Sequence, residues 1–478
     1  MICLSLTRKS LDENLREIER YKKYLDLAEL RADCLEKWDT EALKSFPRRA
    51  GLPIVFSLRR SKDGGFWKGG ENERCSRIAE VLSSGYTWVD LEKHSATDSV
   101  AGIATQRGVR IIRSLHDPDG VPAKLTQLIR DIPENDDEIP RAIIHPRSVA
   151  DLRLVFRALR ETSGAGIIQA MGKWAFPARI LAGMYGCLFS LVSPEASEDD
   201  PLPLSPETLE ELYRCRSLSL STSVYGIIGN PVLHSRSPLI HNTAYRKQDL
   251  NAVYLPFQVD DVDEFFALAD ELSIQGFSVT IPYKSEIIPR LQRISDDVAA
   301  IGACNTVVRT SQGFAGYNTD VRGFLLPLEK LCGKSFPKRA VIIGAGGAAR
   351  AVVYGLQKAG TEILIVNRTE EKALNLAREF GCRGAALSSG NYGKMAEYAE
   401  LVVQTSAAGM HPLEDVDPAE GYPWTGEEIA YDLVYVPETT RFLVAAKAAG
   451  CRTLNGAPML QAQGEAQYKL FTGMEYPR

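Results

Sequence analysis

Gly344, Gly346 and Ala349 fit the spacing G-x-G-x-x-G/A directly after the apolar run 340–343. Glycines there permit a tight turn and let the chain approach a pyrophosphate, which settles on the free N–H groups of a helix start. A second apolar run, 363–366, ends in Asn367, Arg368 and Thr369, with Lys372 one turn later. An acid at this place, roughly 20 residues beyond the glycines, binds the ribose 2′-hydroxyl of NAD. Arg368 instead suits a 2′-phosphate, so the expected cofactor is NADP(H). A glycine pattern alone is also the mark of an ordinary strand–helix turn; strand, turn, helix, strand and cation in order favour the nucleotide. Upstream, Lys284 and Asp320 offer an ammonium and a carboxylate that can hold it, a pair able to give a proton or steady an alkoxide. Ser235 and Ser237, two apart before Pro238, suit a carboxylate at a helix start, or plain N-capping.

Those residues need strands to carry them. GFSVTIPYK (276–284) delivers Thr280 and Lys284, IGACNTVV (301–308) delivers Asn305, and GYNTD (316–320) delivers Asn318 and Asp320. Each follows an apolar run, so the polar residues are expected at one sheet edge. Further on, LVVQTS (401–406) reads as a strand, IAYDLVYV (429–436) places Asp432 and Tyr435 at a strand end, and a helix puts Met459 and Gln463 four apart on one face. Met459 is expected in the core, beside a nicotinamide, or both.

The first half alternates short apolar runs, 2–6, 28–32, 54–58, 88–91, 110–115, 142–144, 166–170 and 187–192, with amphipathic stretches such as 11–25 and 149–160. Eight strands each followed by a helix predict a (β/α)8 barrel, with chemistry at the C-terminal strand ends. Those ends carry Ser5, Glu29, Arg31, Asp33, Arg59, Asp90, Glu92, His116 and Asp117, then Lys173 and Arg179. The arginines suit an anionic substrate and His116 suits acid–base work, although any one of them alone reads as a salt bridge or a satisfied histidine. Small polar residues at 216–223 mark the joint.

At 478 residues the chain exceeds one core, and a net charge of −5 disfavours general nucleic-acid or membrane-surface binding. Nine scattered cysteines without a C-x-x-C pair predict reduced thiols in a cytoplasmic protein, with no metal site. No apolar run approaches the roughly 20 residues of a membrane span, and the first ten residues lack a signal-peptide pattern.

Residues 1–215 resemble type I 3-dehydroquinate dehydratase in ELRAD (29–33), FSLRRSKDGG (56–65), VDLE (89–92), SLHD (114–117), IPRAIIHPRS (139–148) and MGKWAFPARILAG (171–183). The resemblance implies dehydration of 3-dehydroquinate through a lysine imine, with His116 as the assisting histidine and Ser5, Glu29, Arg31, Arg59 and Arg179 binding substrate. The imine lysine, however, falls on Arg141, which keeps its proton and is no amine nucleophile. Asp63 stands where a glutamate is usual, and the lid segment 194–206 (PEASEDDPLPLSP) is acidic, with Pro203 nearest the place of a glutamine. Three readings stay open: an imine on another lysine, Lys173 being the candidate; an imine-free elimination led by His116, with Arg141 polarising the carbonyl; or a barrel kept as scaffold or binding module.

Residues 224–478 resemble shikimate dehydrogenase in GNPVLHSRSP, VTIPYK, CNTVV, YNTD, GAGGAAR, NRT, TSAAGM, YDLVY and MLQAQG, in that order. The resemblance implies Lys284 and Asp320 as the catalytic pair. It implies substrate contacts at Ser235, Ser237, Thr280, Asn305, Tyr435 and Gln463. Cofactor contacts fall on Gly344, Ala345, Gly346, Gly347 and Ala348, on Asn367 to Lys372 and on Gly456, with Leu433 and Met459 beside the nicotinamide. The expected domains are a barrel at 1–216, a substrate domain at 224–325 and a Rossmann-type NADP domain at 326–478 whose last helices return to the substrate lobe. The expected protein joins two steps, dehydration and NADPH-dependent reduction to shikimate, with small hydroxylated acids as its partners. The rivals are a shikimate or quinate dehydrogenase beside an inert barrel, and an NADP-binding scaffold.

Overall fold

The computed structural model describes residues 1–164, 166–196, 203–333 and 335–477. Two compact units divide the chain: Met1–Val224 with Asn251–Ser273, and Tyr225–Leu250 with Ile274–Arg478.

In the first unit, β1 (Ile2–Leu6), β2 (Leu27–Arg31), β3 (Ile54–Ser57), β4 (Trp88–Glu92), β5 (Arg110–Asp117), β6 (Ile139–Ile144), β7 (Ile167–Ala170) and β8 (Ser190–Val192) form one parallel sheet in the order β7-β6-β5-β4-β3-β2-β1-β8. This is the expected barrel, nearly closed; a backbone bond from Leu188 to Gly166, 3.4 Å, bridges the open edge. Helices return the chain after each strand, from Leu11–Tyr21 to Phe176–Leu181, and a π-helical turn, Thr208–Leu212, follows β8. Local sequence sets their ends. Ser10 and Glu13 form a capping box, Asp39 and Ser148 cap their helices, and Gly51 closes Thr40–Ala50 at a φ of 66°. β10 (Ala252–Gln258) and the helix Val262–Glu271 group with this unit, where Arg153 pairs with Glu264 and Glu271, both at 2.6 Å.

In the second unit, β9 (Ser223–Gly229), β11 (Gly276–Val279), β13 (Thr306–Thr310), β14 (Gly313–Tyr317) and β12 (Arg293–Ile294) lie side by side in that order. Here the structure corrects the sequence reading. Asn305 does not end a strand; it precedes β13, which runs antiparallel to β11. The antiparallel turn still brings Asn305 to the edge where β11 and β14 end. β15 (Arg339–Ile343), β16 (Glu362–Asn367), β17 (Arg383–Ala386), β18 (Leu401–Gln404), β19 (Ile429–Asp432) and β20 (Arg452–Leu454) make an all-parallel sheet, order β17-β16-β15-β18-β19-β20. The order reverses at β15, and in such sheets ligands bind outside the carboxyl ends at the reversal point. The glycine turn occupies that place. One face packs on Phe324, Val352, Leu356 and Met459, so Met459 belongs to the core.

Candidate active site

The loop after β11 carries Lys284, and the helix Asp320–Cys332 begins at Asp320 after β14. Lys284 Nζ lies 2.5 Å from Asp320 Oδ2, with the lysine side chain 15% exposed and the carboxylate 3%. The other carboxylate oxygen, Oδ1, accepts from Asn305 Nδ2 at 2.8 Å. The same amide nitrogen donates to Gln463 Oε1 (3.1 Å) and Thr319 Oγ1 (3.0 Å). The Asp320 N–H donates to Asn318 Oδ1 at 3.0 Å, whose amide donates to the Ala303 carbonyl at 2.9 Å. An ammonium is thus presented by a carboxylate whose other oxygen is itself held by an amide.

Ser235 and Ser237 sit at the start of the helix Ser237–Lys247. The Ser235 hydroxyl accepts from the Ser237 N–H at 3.2 Å, while Ser237 is buried. Burial pushes the Tyr435 phenol up, opposed by hydrogen bonds from the Arg236 N–H and the Ser235 side chain, so Tyr435 stands beside the serines. Thr280 fits against Gly229, where no side chain has room. Asp432 is a structural residue: it accepts from Thr440 Oγ1 at 2.6 Å and from the Val434 N–H at 3.0 Å, and burial raises its carboxyl to about 6.

The glycine turn has the predicted geometry. Gly344 adopts a φ of 118°, Gly346 caps the helix Gly347–Lys358, and nothing lies within 4 Å of where a Gly346 side chain would begin. The helix start points open N–H groups at that space. A methyl at Gly347 would stand 3.2 Å from Lys284 Cβ and Cδ, so the turn lies directly against the lysine stem. Arg368 and Lys372 are exposed at the end of β16 and make no ion pair among the described residues; Asn367 Nδ2 donates to the Thr369 carbonyl, 2.9 Å. Leu433 lies against Gly456, which meets its carbonyl too closely for a side chain, and Leu433 packs on the core cluster that contains Met459. These residues fit a dinucleotide carrying a 2′-phosphate.

In the first unit the interior of the barrel is an ion network. Arg141, 0% exposed on β6, spends five donor contacts on its neighbours. Nη1 meets Glu29 Oε1 (3.0 Å) and Asp90 Oδ2 (2.7 Å); Nη2 meets Glu29 Oε2 (2.8 Å) and Gln169 Oε1 (2.7 Å); Nε meets Gln169 Oε1 (3.3 Å). A guanidinium has five N–H groups, so none remains for a substrate carbonyl. Burial alone would raise the Glu29 carboxyl; Arg141 and then Arg59 overcome this and hold it at about 2. A carboxyl depressed on folding adds stability above its unfolded value, and that stability is lost as pH falls through the folded value. Acid titration between about pH 4.5 and 2 is therefore expected to remove up to roughly 3 kcal/mol from the barrel. Chemical denaturation across that window checks it; an unchanged midpoint would contradict it.

Around that network, Arg31 pairs with Asp33 at 2.7 Å and Arg59 with Glu29 at 3.3 Å, while Arg179 is buried and Ser5 is half-buried in register with Glu29. His116 Nε2 is buried without a partner; burial, with Arg59, Arg141, Arg31 and Arg60, holds its pKa well below the ordinary value. Asp63 bonds Arg60 at 2.6 Å. Lys173 is exposed on the turn after β7. Of the acidic lid, Glu195 pairs with Arg8 at 2.5 Å, and residues 197–202 lie outside the described residues. Among the described residues no group of three or more His, Cys, Asp or Glu is placed to hold a metal, and all nine cysteines are free thiols.

Three partners of this site were absent from the sequence reading: Thr306, Thr319 and Gln467. Thr306 Oγ1 donates to Asn305 Oδ1 at 2.8 Å, and the Thr319 N–H donates there at 2.8 Å. Gln467 lies one turn beyond Gln463 on the same helix face, a spacing that was readable.

Comparison with known proteins matches three stretches of the chain. Residues 2–219 match the type I 3-dehydroquinase family, 227–307 the shikimate dehydrogenase substrate binding domain and 328–419 the shikimate/quinate 5-dehydrogenase family. The chloroplastic bifunctional 3-dehydroquinate dehydratase/shikimate dehydrogenase of Arabidopsis thaliana is 30% identical over 501 residues, covering 100% of this chain and 83% of that protein. The NADP(+) shikimate dehydrogenase of Carboxydothermus hydrogenoformans is 40% identical across 54% of this chain and 94% of that one. A crystal structure of a shikimate dehydrogenase in complex with NADP+ is 37% identical, with a TM-score of 0.51, and covers 54% of this chain and 93% of that one.

Proposed function

The chain belongs to the family of bifunctional 3-dehydroquinate dehydratase/shikimate dehydrogenases, and from that premise we propose that Lys284 and Asp320 carry an NADPH-dependent reduction of 3-dehydroshikimate to shikimate. The supporting observation is the 2.5 Å pair set against the glycine turn. Bound at that turn, NADPH supplies a hydride for the ketone carbon. The Lys284 ammonium faces the ketone oxygen, steadies its growing charge and hands it a proton. Asp320 holds the ammonium and accepts a ring hydroxyl, aided by Asn305 and Gln463. Ser235, Ser237 and Tyr435 bind the carboxylate, and Thr280 closes that side. Gly344 to Ala348 hold the pyrophosphate, Asn367 to Lys372 the adenosine phosphate, and Leu433, Gly456 and Met459 the nicotinamide side.

Arg368→Ala is expected to weaken NADPH binding by about 10-fold or more while changing NADH little, since one charge-assisted pair is lost. Titration of both nucleotides checks this; equal losses would remove the 2′-phosphate reading. The substrate assignment is tested in reverse with NADP+: shikimate is expected to be oxidised in preference to quinate, and the opposite preference would make the site a quinate dehydrogenase.

For the barrel, the saturated donors of Arg141 favour a reading in which residue 141 neither forms an imine nor polarises the ketone. It serves as an internal strut for Glu29 and Asp90, and substrate contact falls to Arg31, Arg59, Arg179, Ser5 and His116 at the mouth. We place the domains at 1–216, 224–325 and 326–478, and the protein in the cytoplasm, a reading supported by nine free thiols. No helix among the described residues is long and apolar enough to cross a membrane.

A further inference from the structure

The helix Ala457–Thr472 presents two glutamines, one turn apart, to the sheet edge that carries Asp320. Gln463 touches Asn305 directly. Gln467 is 2% exposed and lies behind it. Gln467 Nε2 donates to the Asn305 backbone carbonyl at 3.3 Å and to Thr306 Oγ1 at 3.1 Å, and its Oε1 accepts from Ser278 Oγ at 2.9 Å.

The Gln467 amide has only one consistent orientation. A backbone carbonyl only accepts, so it is the Gln467 nitrogen that faces Asn305 and Thr306, and the oxygen faces Ser278. The Thr306 hydroxyl, accepting from Gln467, has Asn305 Oδ1 at 2.8 Å as its nearest acceptor, with Thr319 Oγ1 at 3.3 Å. The Thr319 N–H also donates to that oxygen at 2.8 Å. Asn305 Nδ2 is thereby aimed at Asp320 Oδ1, 2.8 Å away, which leaves Oδ2 for Lys284. A hydrogen-bonded chain runs from Ser278 through Gln467, Thr306 and Asn305 to the pair that faces substrate.

We propose that Gln467 is a positioning residue that sets the orientation of the Asn305 amide and, through it, of the Asp320 carboxylate that holds Lys284. The inference rests on the role given above to Lys284 and Asp320. Without the Gln467 donor, the Thr306 proton has a second acceptor, the vacated Asn305 carbonyl, and the Asn305 amide loses one of the bonds that choose its rotamer. Buried polar networks of this kind are satisfied as a whole or not at all.

The test is steady-state kinetics on the full chain with 3-dehydroshikimate and NADPH. Gln467→Leu and Gln467→Met keep the volume and remove the donor. Each is expected to lower kcat about 10-fold, the cost of one buried acceptor left unsatisfied, with KM for NADPH unchanged. In an Asn305→Ala background the same change is expected to cost nothing further, because both act through one amide. A purely structural role would not produce that non-additivity. Unchanged kcat, or losses that add fully, would overturn the proposal, as would a failure of both variants to fold and bind NADPH. Lys284→Ala run in parallel separates the two levels. If it is active, the catalytic assignment itself falls; if it is dead while the Gln467 variants are normal, only the positioning role falls.

Discussion

Replacing Lys284 with alanine is expected to lower the turnover of 3-dehydroshikimate by roughly 10²-fold or more, with NADPH binding close to that of the unaltered chain. The reason lies in what remains. Without the ammonium, no other cation among the described residues is placed on Asp320, whose second oxygen is held by a neutral amide. The oxygen that receives the growing charge would then face water alone. The glycine turn gains space, because the Lys284 stem stood 3.2 Å from the position of a Gly347 side chain, so the cofactor site is not obstructed. Loss confined to KM would show that the lysine only binds substrate, and near-normal kcat would remove its role.

Arg141 carries the second large effect. Borohydride added with 3-dehydroquinate is expected to leave no reduced adduct on residue 141, because a guanidinium held by Glu29, Asp90 and Gln169 offers no amine. Arg141→Met is expected to destabilise the barrel by about 3–5 kcal/mol, since it leaves buried Asp90 without its cation and Glu29 with Arg59 alone. Denaturant unfolding and mass spectrometry measure the two arms. A mild stability change would mean that water reaches Asp90 and that Arg59 alone suffices for Glu29; a covalent adduct on Lys173 would restore imine chemistry to the barrel.

Much of this was legible in letters. Short apolar runs marked all eight barrel strands, because parallel strands are buried on both faces. The dinucleotide unit was readable because glycine, strand and cation stand at fixed offsets within one short stretch. What escaped depended on direction and on distant partners. Nothing in IGACNTVV says that the strand after Asn305 runs antiparallel, yet that reversal is what delivers Asn305 to Asp320. Arg141 was visible as a misfit, but the consumption of its donors depends on Glu29, 112 residues away, and Asp90, 51 away. Asp432 turned to Thr440, since a strand end does not reveal which neighbour reaches it first. The grouping of 251–273 with the barrel had no signal in composition at all.

The central claim is that the Lys284–Asp320 site reduces a hydroxylated ring ketone with NADPH, and the most direct measurement is the rate of NADPH oxidation by the intact chain given 3-dehydroshikimate. The account predicts steady oxidation yielding shikimate, abolished in Lys284→Met although NADPH still binds. Binding of NADPH without oxidation in the unaltered chain, or equal oxidation in both proteins, would contradict it.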